Sequence, residues 1–442
     1  MDLNSTPSSE RVHIGIFGRR NAGKSSLINA ITGQDLAVVS DISGTTTDPV
    51  SKSMELLPLG PVLMIDTPGL DDTGELGGLR VRKSVQVLQK TDIAVLTVSA
   101  EEGFSPEDAE IIRTIQKKGI PLVIAFNKAD LRFETAAEEE IPPALSGNNR
   151  GMPDTACSAS AKETEWIAAQ LSKSGLDPSL ADRTILVSAV TGYHLRELKE
   201  LIAAQKPDAA EGRRIVGDLL SPGDLAVLVV PVDSAAPKGR LILPQQQTIR
   251  DILDADALSL VCRETELSGA LKHLSKKPAM VITDSQAFQP VSAVTPEDIP
   301  LTSFSILMAR YKGDLETLVR GVRAVHALKD NDPVLISEGC THHRQCDDIG
   351  TVKLPRLIRN FTGVRPEFSW TGGTGFPDDL TGYKMIIHCG GCMLNEREMK
   401  HRIACAKDAG VPITNYGVFI AYAHGILKRS LSVFPDLACM LS

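Results

Sequence analysis

The amino-acid sequence predicts an α/β protein built from one large unit followed by two smaller α/β units. The chain has 442 residues, about three times the ~150 residues of a common domain. Short β-branched apolar runs alternate with amphipathic stretches, which is typical of a parallel sheet covered by helices. Two interruptions divide the pattern, a linker-like KPDAAEG at 206–212 and a proline-rich stretch at 290–300.

The first unit, predicted over 1–205, alternates strands and helices from its beginning. A segment at about 131–182 breaks this alternation with an acidic run and no periodicity, so we interpret it as an insertion with some helix around 166–171. The predicted strands are 12–18, 61–66, 93–99, 121–127 and 184–188, and the clearest helices are 24–32 and 107–119.

The two later units are predicted over 211–286 and 290–442. A domain as small as the middle one has little core of its own, so we interpret it as a dimerisation domain and expect a homodimer or a larger assembly. Its predicted strands are 226–232, 257–262 and 279–283, with a helix at 246–256. The last unit has predicted strands at 333–337, 383–388 and 411–414, and a helical pattern over 393–410.

Composition and charge exclude several classes of protein. Hydrophobic residues make up 42% and charged residues 23%, which is ordinary for a soluble protein and excludes whole-chain disorder. The net charge of −8 argues against nucleic acid as a main partner, because phosphate-backbone binders usually carry a basic surplus. No apolar run approaches the ~20 residues of a membrane helix, and the polar N-terminus is no signal peptide. We therefore expect a cytoplasmic protein without a membrane partner, whose eight cysteines are free thiols or metal ligands.

A phosphate-binding loop lies between the first predicted strand and the first helix. Residues 18–25, GRRNAGKS, fit G-x-x-x-x-G-K-[ST] in full. Backbone amides of such a loop surround phosphates, and the helix N-terminus adds partial positive charge. Lys24 is expected to neutralise the β- and γ-phosphates, and Ser25 to bind Mg²⁺. The sequence therefore predicts a site for a nucleoside triphosphate.

Three further motifs follow the ends of later strands. Within DTPG (66–69), Asp66 is expected to reach Mg²⁺ through water, and the Gly69 amide to sense the γ-phosphate. Within NKAD (127–130), Asp130 can accept two hydrogen bonds from guanine that adenine cannot offer, and the second amide of the pair SA at 188–189 is expected to meet guanine O6. The predicted nucleotide-binding residues are Gly18, Gly23, Lys24, Ser25, Ser26, Asp66, Asn127, Lys128, Asp130, Ser188 and Ala189.

In this order, the four motifs over 12–204 resemble the GTPase family that includes tRNA-modification and ribosome-assembly G proteins. Leu70 follows DTPG, where Ras-like proteins carry a water-positioning glutamine. Asn21 lies where similar potassium-activated GTPases hold K⁺, an ion that would replace an arginine finger; without the resemblance, Asn21 is equally well a loop cap. The pattern GTTTDP (44–49) supplies the switch threonine, and the family pattern favours Thr46 over its neighbours as a second Mg²⁺ ligand. The catalytic residues implied by the resemblance are Lys24, Asn21, Thr46 and Gly69.

A second set of candidate ligands follows two strands of the last unit. CTH at 340–342 comes after the strand at 333–337, and HCGGC at 388–392 comes after the strand at 383–388. Carboxyl ends of parallel strands lie at one edge of a sheet, where sites gather, so the two segments can meet there. The helical pattern that follows Cys392 would present free amides to an anionic group.

Residue types alone leave three interpretations of this site. A structural zinc ion would use Cys340, Cys389, Cys392 and one histidine. A redox pair would use Cys389 and Cys392 alone. An iron–sulfur cluster would use the three cysteines and an exchangeable fourth ligand.

The combination of C-x-H, H-C-x-x-C and the GTPase motifs resembles the HydF family of [FeFe]-hydrogenase maturation GTPases over the whole chain. PKGRLILPQQQTIRD at 237–251 is also similar to that family. The resemblance implies a P-loop GTPase domain followed by two smaller α/β domains, and a [4Fe–4S] cluster on Cys340, Cys389 and Cys392. It also implies a scaffold that assembles and transfers the di-iron subcluster. The implied partners are two radical-SAM maturases and the apo-[FeFe]-hydrogenase.

Other residues of the last unit fall outside the three-cysteine pattern. His342, Asp347 and Asp348 are candidates for the fourth ligand, although an acidic loop alternatively just faces water. The histidines of the motif are alternatively residues that hydrogen-bond to sulfide or stabilise a turn. Cys346 is either a further ligand or a buried thiol, and Trp370 is expected in a glycine-rich loop over the cluster. The cysteines without motif partners, interpreted as packing residues, are Cys157, Cys262, Cys405 and Cys439.

The sequence thus predicts a Mg²⁺-dependent, K⁺-activated GTPase joined to a cluster-binding scaffold. The alternative is a ribosome- or RNA-associated GTPase whose C-terminal domain is held together by structural zinc. The acidic net charge and the absence of basic, aromatic-rich stretches count against that alternative.

Overall fold

The chain forms two compact units, residues 1–208 and 209–442. The computed structural model describes residues 6–33, 50–69, 83–84, 86–133, 161–206, 213–231, 241–339, 348–373 and 375–440. No helix among these residues is both long and apolar enough to span a membrane.

The first unit is built on a six-stranded sheet in the order β2-β3-β1-β4-β5-β6. Neighbouring strands are parallel except β2, which runs antiparallel to β3. Strands β4 and β5 lie inside the sheet and are buried along their whole length, which explains their uninterrupted apolar sequence. The strands are β1 (Val12–Phe17), β2 (Val50–Leu56), β3 (Gly60–Asp66), β4 (Ile93–Ser99), β5 (Leu122–Asn127) and β6 (Thr184–Leu186).

Helices of the first unit bury apolar side chains on both faces of this sheet. One of them, α2, starts with a complete capping box, in which Ser105 and Asp108 satisfy each other's backbone N–H groups. The helices are α1 (Lys24–Thr32), α2 (Pro106–Lys117), α3 (Ala161–Lys173) and α4 (Leu195–Ala203), and a short 3-10 helix spans Pro178–Arg183.

Two features of the first unit differ from the prediction. Strand β2 was missed because five of its seven residues are exposed, so its sequence lacks the apolar pattern of the other strands. Within the predicted insertion at 131–182, α3 and the 3-10 helix bury Ile167, Leu171 and Leu180 in the core. This part is core structure rather than added loop, and residues 134–160 lie outside the described residues.

The second unit contains two parallel four-stranded sheets. Their orders are β10-β9-β7-β8 and β12-β11-β13-β14. The first comprises β7 (Leu225–Val229), β8 (Leu258–Cys262), β9 (Met280–Thr283) and β10 (Leu301–Ser303). The second comprises β11 (Pro333–Ser337), β12 (Glu367–Thr371), β13 (Met385–His388) and β14 (Ile413–Asn415).

Helices cover both sheets of the second unit. One of them, α8, contributes side chains to the apolar cores beside both sheets. The helices are α5 (Leu243–Leu253), α6 (Leu267–His273), α7 (Phe288–Val294), α8 (Phe304–Lys312), α9 (Leu315–Gly321), α10 (Leu354–Thr362), α11 (Glu396–Asp408), α12 (Tyr416–Ala423), α13 (Leu427–Ser430) and α14 (Pro435–Cys439).

Three predictions for the second unit need correction. The first of its sheets includes β10, so it extends beyond the predicted boundary at 286–290. Trp370 lies on the edge strand β12 and not in a glycine-rich loop, and its indole N–H donates to the Gly350 carbonyl at 3.1 Å. Cys439 is exposed, whereas Cys262 and Cys405 are partly buried and pack against apolar cores as expected.

Candidate functional site

The phosphate-binding loop has the backbone geometry that its glycines permit. Gly18 and Gly23 adopt φ angles of 142° and 87°, a region that side chains disfavour. A Cβ at Gly18 would lie 2.2 Å from the Thr97 carbonyl oxygen, and one at Gly23 would lie 2.2 Å from Asn127 Nδ2. The loop therefore tolerates only glycine at both positions.

The lysine and asparagine of the loop are placed differently. Lys24 is buried, and its ammonium donates to the carbonyls of Gly18 and Arg19 at 2.9 and 2.7 Å. This holds the positive charge against the loop backbone from which α1 starts. Asn21 is exposed and has a left-handed φ of 60°, a conformation that asparagine tolerates better than most residues. That conformation is compatible both with an ion ligand and with a loop cap.

Ser25 and Asp66 form the pair expected of a magnesium site. The Ser25 hydroxyl donates to Asp66 Oδ2 at 2.9 Å, and Asp66 Oδ1 is buried without a hydrogen-bond partner among the described residues. Burial raises the pKa of Asp66, while the hydrogen bond from Ser25 and the charge of Lys24 lower it. A buried carboxylate oxygen beside a hydroxyl is a suitable ligand set for a hard cation. The carbonyl of Ile16 accepts from the Thr67 hydroxyl at 2.6 Å, which fixes the start of the DTPG turn that ends at Gly69.

Asn127 ties the loops around the base pocket together. Its Nδ2 donates to the Ala22 carbonyl at 3.2 Å, and its Oδ1 accepts from the Ala189 amide at 3.1 Å. A guanine O6 that uses the Ala189 amide therefore has to share that donor with Asn127. The Ser188 hydroxyl accepts from the amides of Val190 and Thr191, so it shapes the loop rather than facing the base.

Asp130 has the acceptor that guanine recognition needs. Its Oδ1 is buried and accepts no hydrogen bond from the described residues. Asp130 lies in a 3-10 turn, Ala129–Leu131, that starts after Lys128 in a left-handed conformation (φ 63°). A buried carboxylate oxygen without a donor is costly, so a ligand with N–H donors would stabilise it.

The two cysteine segments approach each other at one edge of the last sheet. Strands β11 and β13 are parallel neighbours, and their final residues, Ser337 and His388, are paired in register. The Gly339 amide donates to Cys389 Sγ at 3.1 Å, and the Cys389 amide donates to the Ser337 carbonyl at 2.8 Å. Gly339 is the last described residue before Cys340. The backbone therefore brings the start of the first motif next to Cys389 of the second.

The loop that carries Cys389 and Cys392 is a tight turn around the first sulfur. Gly391 has φ 63°, and a Cβ there would lie 2.5 Å from Met399 Sδ. The Gly391 amide donates to Cys389 Sγ at 3.4 Å. Sulfur that accepts backbone N–H groups is stabilised as a thiolate, which is the form that binds metal.

Cys392 is partly buried, and the helix after it begins later than predicted. Burial raises the pKa of the Cys392 thiol, Cys389 raises it further, and the charge of Lys312 lowers it. Helix α11 starts at Glu396, with Asn395 as its N-cap accepting from the Glu398 amide at 3.1 Å. The free amides at the start of this helix therefore lie a few residues after Cys392, and their contribution to binding an anionic group stays a prediction.

His388 is a structural residue of the fold. It is fully buried, and its Nε2 accepts from the guanidinium of Arg402 at 3.0 Å while its Nδ1 lies 2.7 Å from the Cys389 carbonyl. Arg402 also donates to the Gly373 carbonyl at 2.6 Å and to Glu398 at 2.5 Å. Both ring nitrogens are therefore engaged within the protein, which is the arrangement expected of a turn-stabilising residue.

A buried tyrosine bonded to a partly buried glutamate lies beside the same edge. The Tyr416 hydroxyl donates to Glu338 Oε1 at 3.1 Å. Burial raises the pKa of Tyr416 far above its usual value, and the Glu338 carboxylate raises it further. A Cβ at Gly350 would lie 2.4 Å from both oxygens, so a glycine is needed to accommodate the pair.

Several predicted site residues lie outside the described part of the chain. They are Thr46, Cys340, His342, Cys346 and Asp347, and the same holds for Thr45, Thr47, Leu70 and the packing candidate Cys157. Within the described residues, no group of three or more His, Cys, Asp or Glu side chains is placed to hold a metal ion. The donors that are described, two cysteines with N–H groups directed at one sulfur, fit a thiolate-bound cluster or zinc. Asp348 is occupied as the cap of the turn Ile349–Lys353, where it accepts from Thr351 at 2.9 Å.

Sequence reasoning missed four residues of the last site. Glu338 had a local signal, because it directly precedes Gly339 and the first cysteine. Lys312, Arg402 and Tyr416 reach the site from other elements, and nothing in their sequence neighbourhood indicates it.

Family models match most of the chain in three consecutive segments. Residues 13–128 match the 50S ribosome-binding GTPase model. Residues 215–313 match the hydrogen maturase F dimerization domain, and residues 316–433 match the hydrogen maturase F tetramerization domain.

Curated relatives match the first unit. The tRNA modification GTPase MnmE of Synechococcus sp. is 33% identical over 211 residues, 44% of this chain and 42% of that protein. GTPase Der of Wolinella succinogenes is 37% identical over 142 residues, 31% of this chain and 30% of that protein. The chain thus spans less than half the length of either relative.

Among solved structures, Era of Aquifex aeolicus is similar, with 20% identity and a TM-score of 0.35. The match covers 64% of this chain and 97% of that one.

Proposed function

The chain belongs to the hydrogen maturase F family and has a P-loop GTPase domain, and from this premise we propose that it is a GTP-hydrolysing scaffold for [FeFe]-hydrogenase maturation. In this proposal it binds a [4Fe–4S] cluster and assembles and transfers the di-iron subcluster. The observation that carries the proposal is the convergence of the Gly339 amide and the Gly391 amide on Cys389 Sγ. The same chain also carries the complete set of guanine-nucleotide motifs.

We assign hydrolysis to 1–205, pairing of chains to the middle domain predicted from 211, and cluster binding to the domain predicted from 290. Lys24 neutralises phosphate charge, and Ser25 with Asp66 holds Mg²⁺, supported by the 2.9 Å contact between them. Hydrolysis is in-line attack of water on the γ-phosphate, accelerated by positioning and electrostatics. Thr46 and the Gly69 amide complete the assignment as Mg²⁺ ligand and γ-phosphate contact.

Potassium is proposed to replace the missing water-positioning glutamine. Asn21 is exposed on the phosphate loop in a left-handed conformation, where its side chain is accessible to an ion. We expect hydrolysis to be several-fold faster in K⁺ than in Na⁺ at equal ionic strength, and Asn21→Ala to remove the difference. Equal rates in the two salts would make Asn21 a loop cap only.

The cluster is proposed to have three cysteine ligands, Cys340, Cys389 and Cys392, and one exchangeable position. A scaffold that accepts another iron unit needs such a position, because four cysteines would close the cluster. The candidates for that position, His342 and Asp347, and the further thiol Cys346 lie in the same segment. If Cys346→Ala destroys the cluster, four cysteines close the site and the open position is wrong.

The maturation function is tested by activation of an apo-[FeFe]-hydrogenase. We expect this chain, produced together with the two radical-SAM maturases and purified anaerobically, to restore hydrogen evolution. Cys389→Ala should abolish the restoration, and Cys439→Ala, at an exposed position, should not. No activation by the wild-type chain, together with stoichiometric zinc and no iron, would favour the ribosome- or RNA-associated alternative.

A further inference from the structure

Lys312 is a buried lysine directly beside the cysteine loop. Lys312 is the last residue of α8, and only 3% of it is exposed to solvent. The ammonium donates to the Cys392 carbonyl at 3.3 Å and to the Leu394 carbonyl at 3.2 Å. Lysine is almost never buried to this extent unless its charge is compensated.

The helix that carries Lys312 belongs to the middle domain. Phe304, Leu307 and Met308 of α8 pack in the core of the sheet β10-β9-β7-β8, which lies within the dimerization-domain match. Cys392 lies within the tetramerization-domain match. The contact therefore joins two domains of the same compact unit.

A close approach between helices fixes this contact. Gly313 follows Lys312, and a Cβ there would lie 3.2 Å from Ile403 Cδ1 of α11 and 2.9 Å from the Ala309 carbonyl. Asp314 then pairs with Lys407 of α11 at 3.2 Å. Because α8 and α11 are held together, the ammonium has little freedom to leave the cysteine loop.

We propose that Lys312 is a positioning residue of the cluster site, supplied by the middle domain. It holds the Cys389–Cys392 loop through the two carbonyls, and its charge stabilises the more negative, reduced form of the cluster. This inference rests on the proposed cluster-binding function.

The charge effect follows from the sign of the groups involved. A cluster held by thiolates becomes one charge more negative when it accepts an electron. A fixed ammonium bonded to the backbone carbonyl of Cys392 attracts that charge, and the attraction is large in a buried site.

The test compares three substitutions in the full chain after anaerobic reconstitution. Lys312→Met removes both the charge and the donors, Lys312→Gln keeps donors without charge, and Lys312→Arg keeps the charge. Lys428→Met, at an exposed lysine of the same unit, is the matched control. Iron per chain and the midpoint potential of one-electron reduction by dithionite, followed by EPR, are measured. Fluorescence of Trp370 in a Trp166→Phe background, followed through urea unfolding, shows whether the second unit is folded in each variant.

We expect the Met and Gln variants to be reduced about tenfold less favourably than wild type, a shift of about 59 mV for a one-electron couple. The Arg and control variants should stay close to wild type. If the Met variant takes up no iron but the Arg variant does, the positioning role is supported directly.

Two results would overturn the inference. One is an unchanged potential with full iron content in both the Met and the Gln variants. The other is loss of iron in all three Lys312 variants while the control binds it, because the side chain would then be a packing element irrespective of charge. A wild-type chain without any cluster contradicts the proposed function itself, and is distinguished by its iron content before any variant is made.

Discussion

At the scale of single residues, Asp130 is the group that we expect to select the base. Asp130→Asn replaces an acceptor by a donor on one side of the carboxylate. Loss of a charge-assisted hydrogen bond costs about 1.5–3 kcal/mol, or roughly 10–100-fold in GTP affinity. Xanthosine triphosphate has a carbonyl where guanine has an amino group, so it should bind the Asp130→Asn variant more tightly than it binds wild type.

Competition binding with the two nucleotides measures this exchange. Asp182→Asn, at an exposed carboxylate of the same unit, is the control. Unchanged GTP affinity in the Asp130 variant would show that Asp130 does not recognise guanine.

Arg402 is the residue whose loss should destabilise the last domain most. Only 1% of it is exposed, and it connects His388, Glu398 and the Gly373 carbonyl. Arg402→Met leaves Glu398 buried without its partner, and breaking such a pair costs about 3–5 kcal/mol. Arg320→Met removes an exposed pair with Glu316 and should cost about 0.3–0.5 kcal/mol.

Urea unfolding in a Trp166→Phe background measures both variants. The chain has two tryptophans, so Trp370 alone then reports on the second unit. Equal unfolding midpoints for the Arg402 and Arg320 variants would show that the buried network contributes nothing to stability.

At the scale of elements, strand β8 is the expected pairing edge between chains. It is the outer strand of β10-β9-β7-β8, and its Leu258 and Val261 are 58% and 43% exposed. An edge strand offers unpaired backbone groups to another strand, and exposed apolar side chains favour burial against a partner. The dimerization-domain match over 215–313 includes this strand.

Light scattering at micromolar protein tests the pairing. Wild type should have at least twice the 47.5 kDa of one chain, and Val261→Lys should reduce the mass by half or more. Leu57→Lys, at an exposed leucine of the first unit, should leave it unchanged. A single-chain mass for wild type, or an unchanged mass for the Val261 variant, would contradict a dimer through β8.

Elements with a buried, regular pattern could be predicted from the sequence almost to the residue. Helix α1 and strands β4 and β11 have the predicted bounds, because the helix buries one face at helical spacing and the strands are buried along nearly their whole length. Strand β2 could not be predicted, because its exposed residues leave no periodicity. Strand β12, which carries Trp370 at a sheet edge, was predicted as a loop. Its apolar pattern is short, and glycines follow it directly in the sequence.

At the scale of the whole molecule, the two candidate sites differ in how far the sequence predicts them. The nucleotide site is assembled from loops that each follow a strand of one sheet, so contiguous motifs contain nearly all of it. The candidate cluster site is contacted by Lys312, Arg402 and Tyr416, across 80, 14 and 78 residues of sequence. Such contacts are a property of packing between helices and strands, which no local pattern encodes.

Because the two candidate sites lie in different units, GTP hydrolysis and iron binding can be tested separately. Lys24→Ala removes the phosphate-neutralising charge in the first unit and should reduce GTP hydrolysis by about 100-fold or more. Because the cysteine loop belongs to the second unit, this variant should still bind iron in the same amount as wild type. It therefore serves as the control for the cysteine variants.

The most direct measurement is the EPR spectrum of the reduced, anaerobically reconstituted protein, taken together with its iron and zinc content. We expect wild type, Lys24→Ala and Cys439→Ala to show a [4Fe–4S] signal that shifts on addition of imidazole. Alanine at Cys340, Cys389 or Cys392 should eliminate that signal. Stoichiometric zinc with no iron, or a cluster signal that survives at full intensity in Cys389→Ala, would contradict a cluster held at this loop.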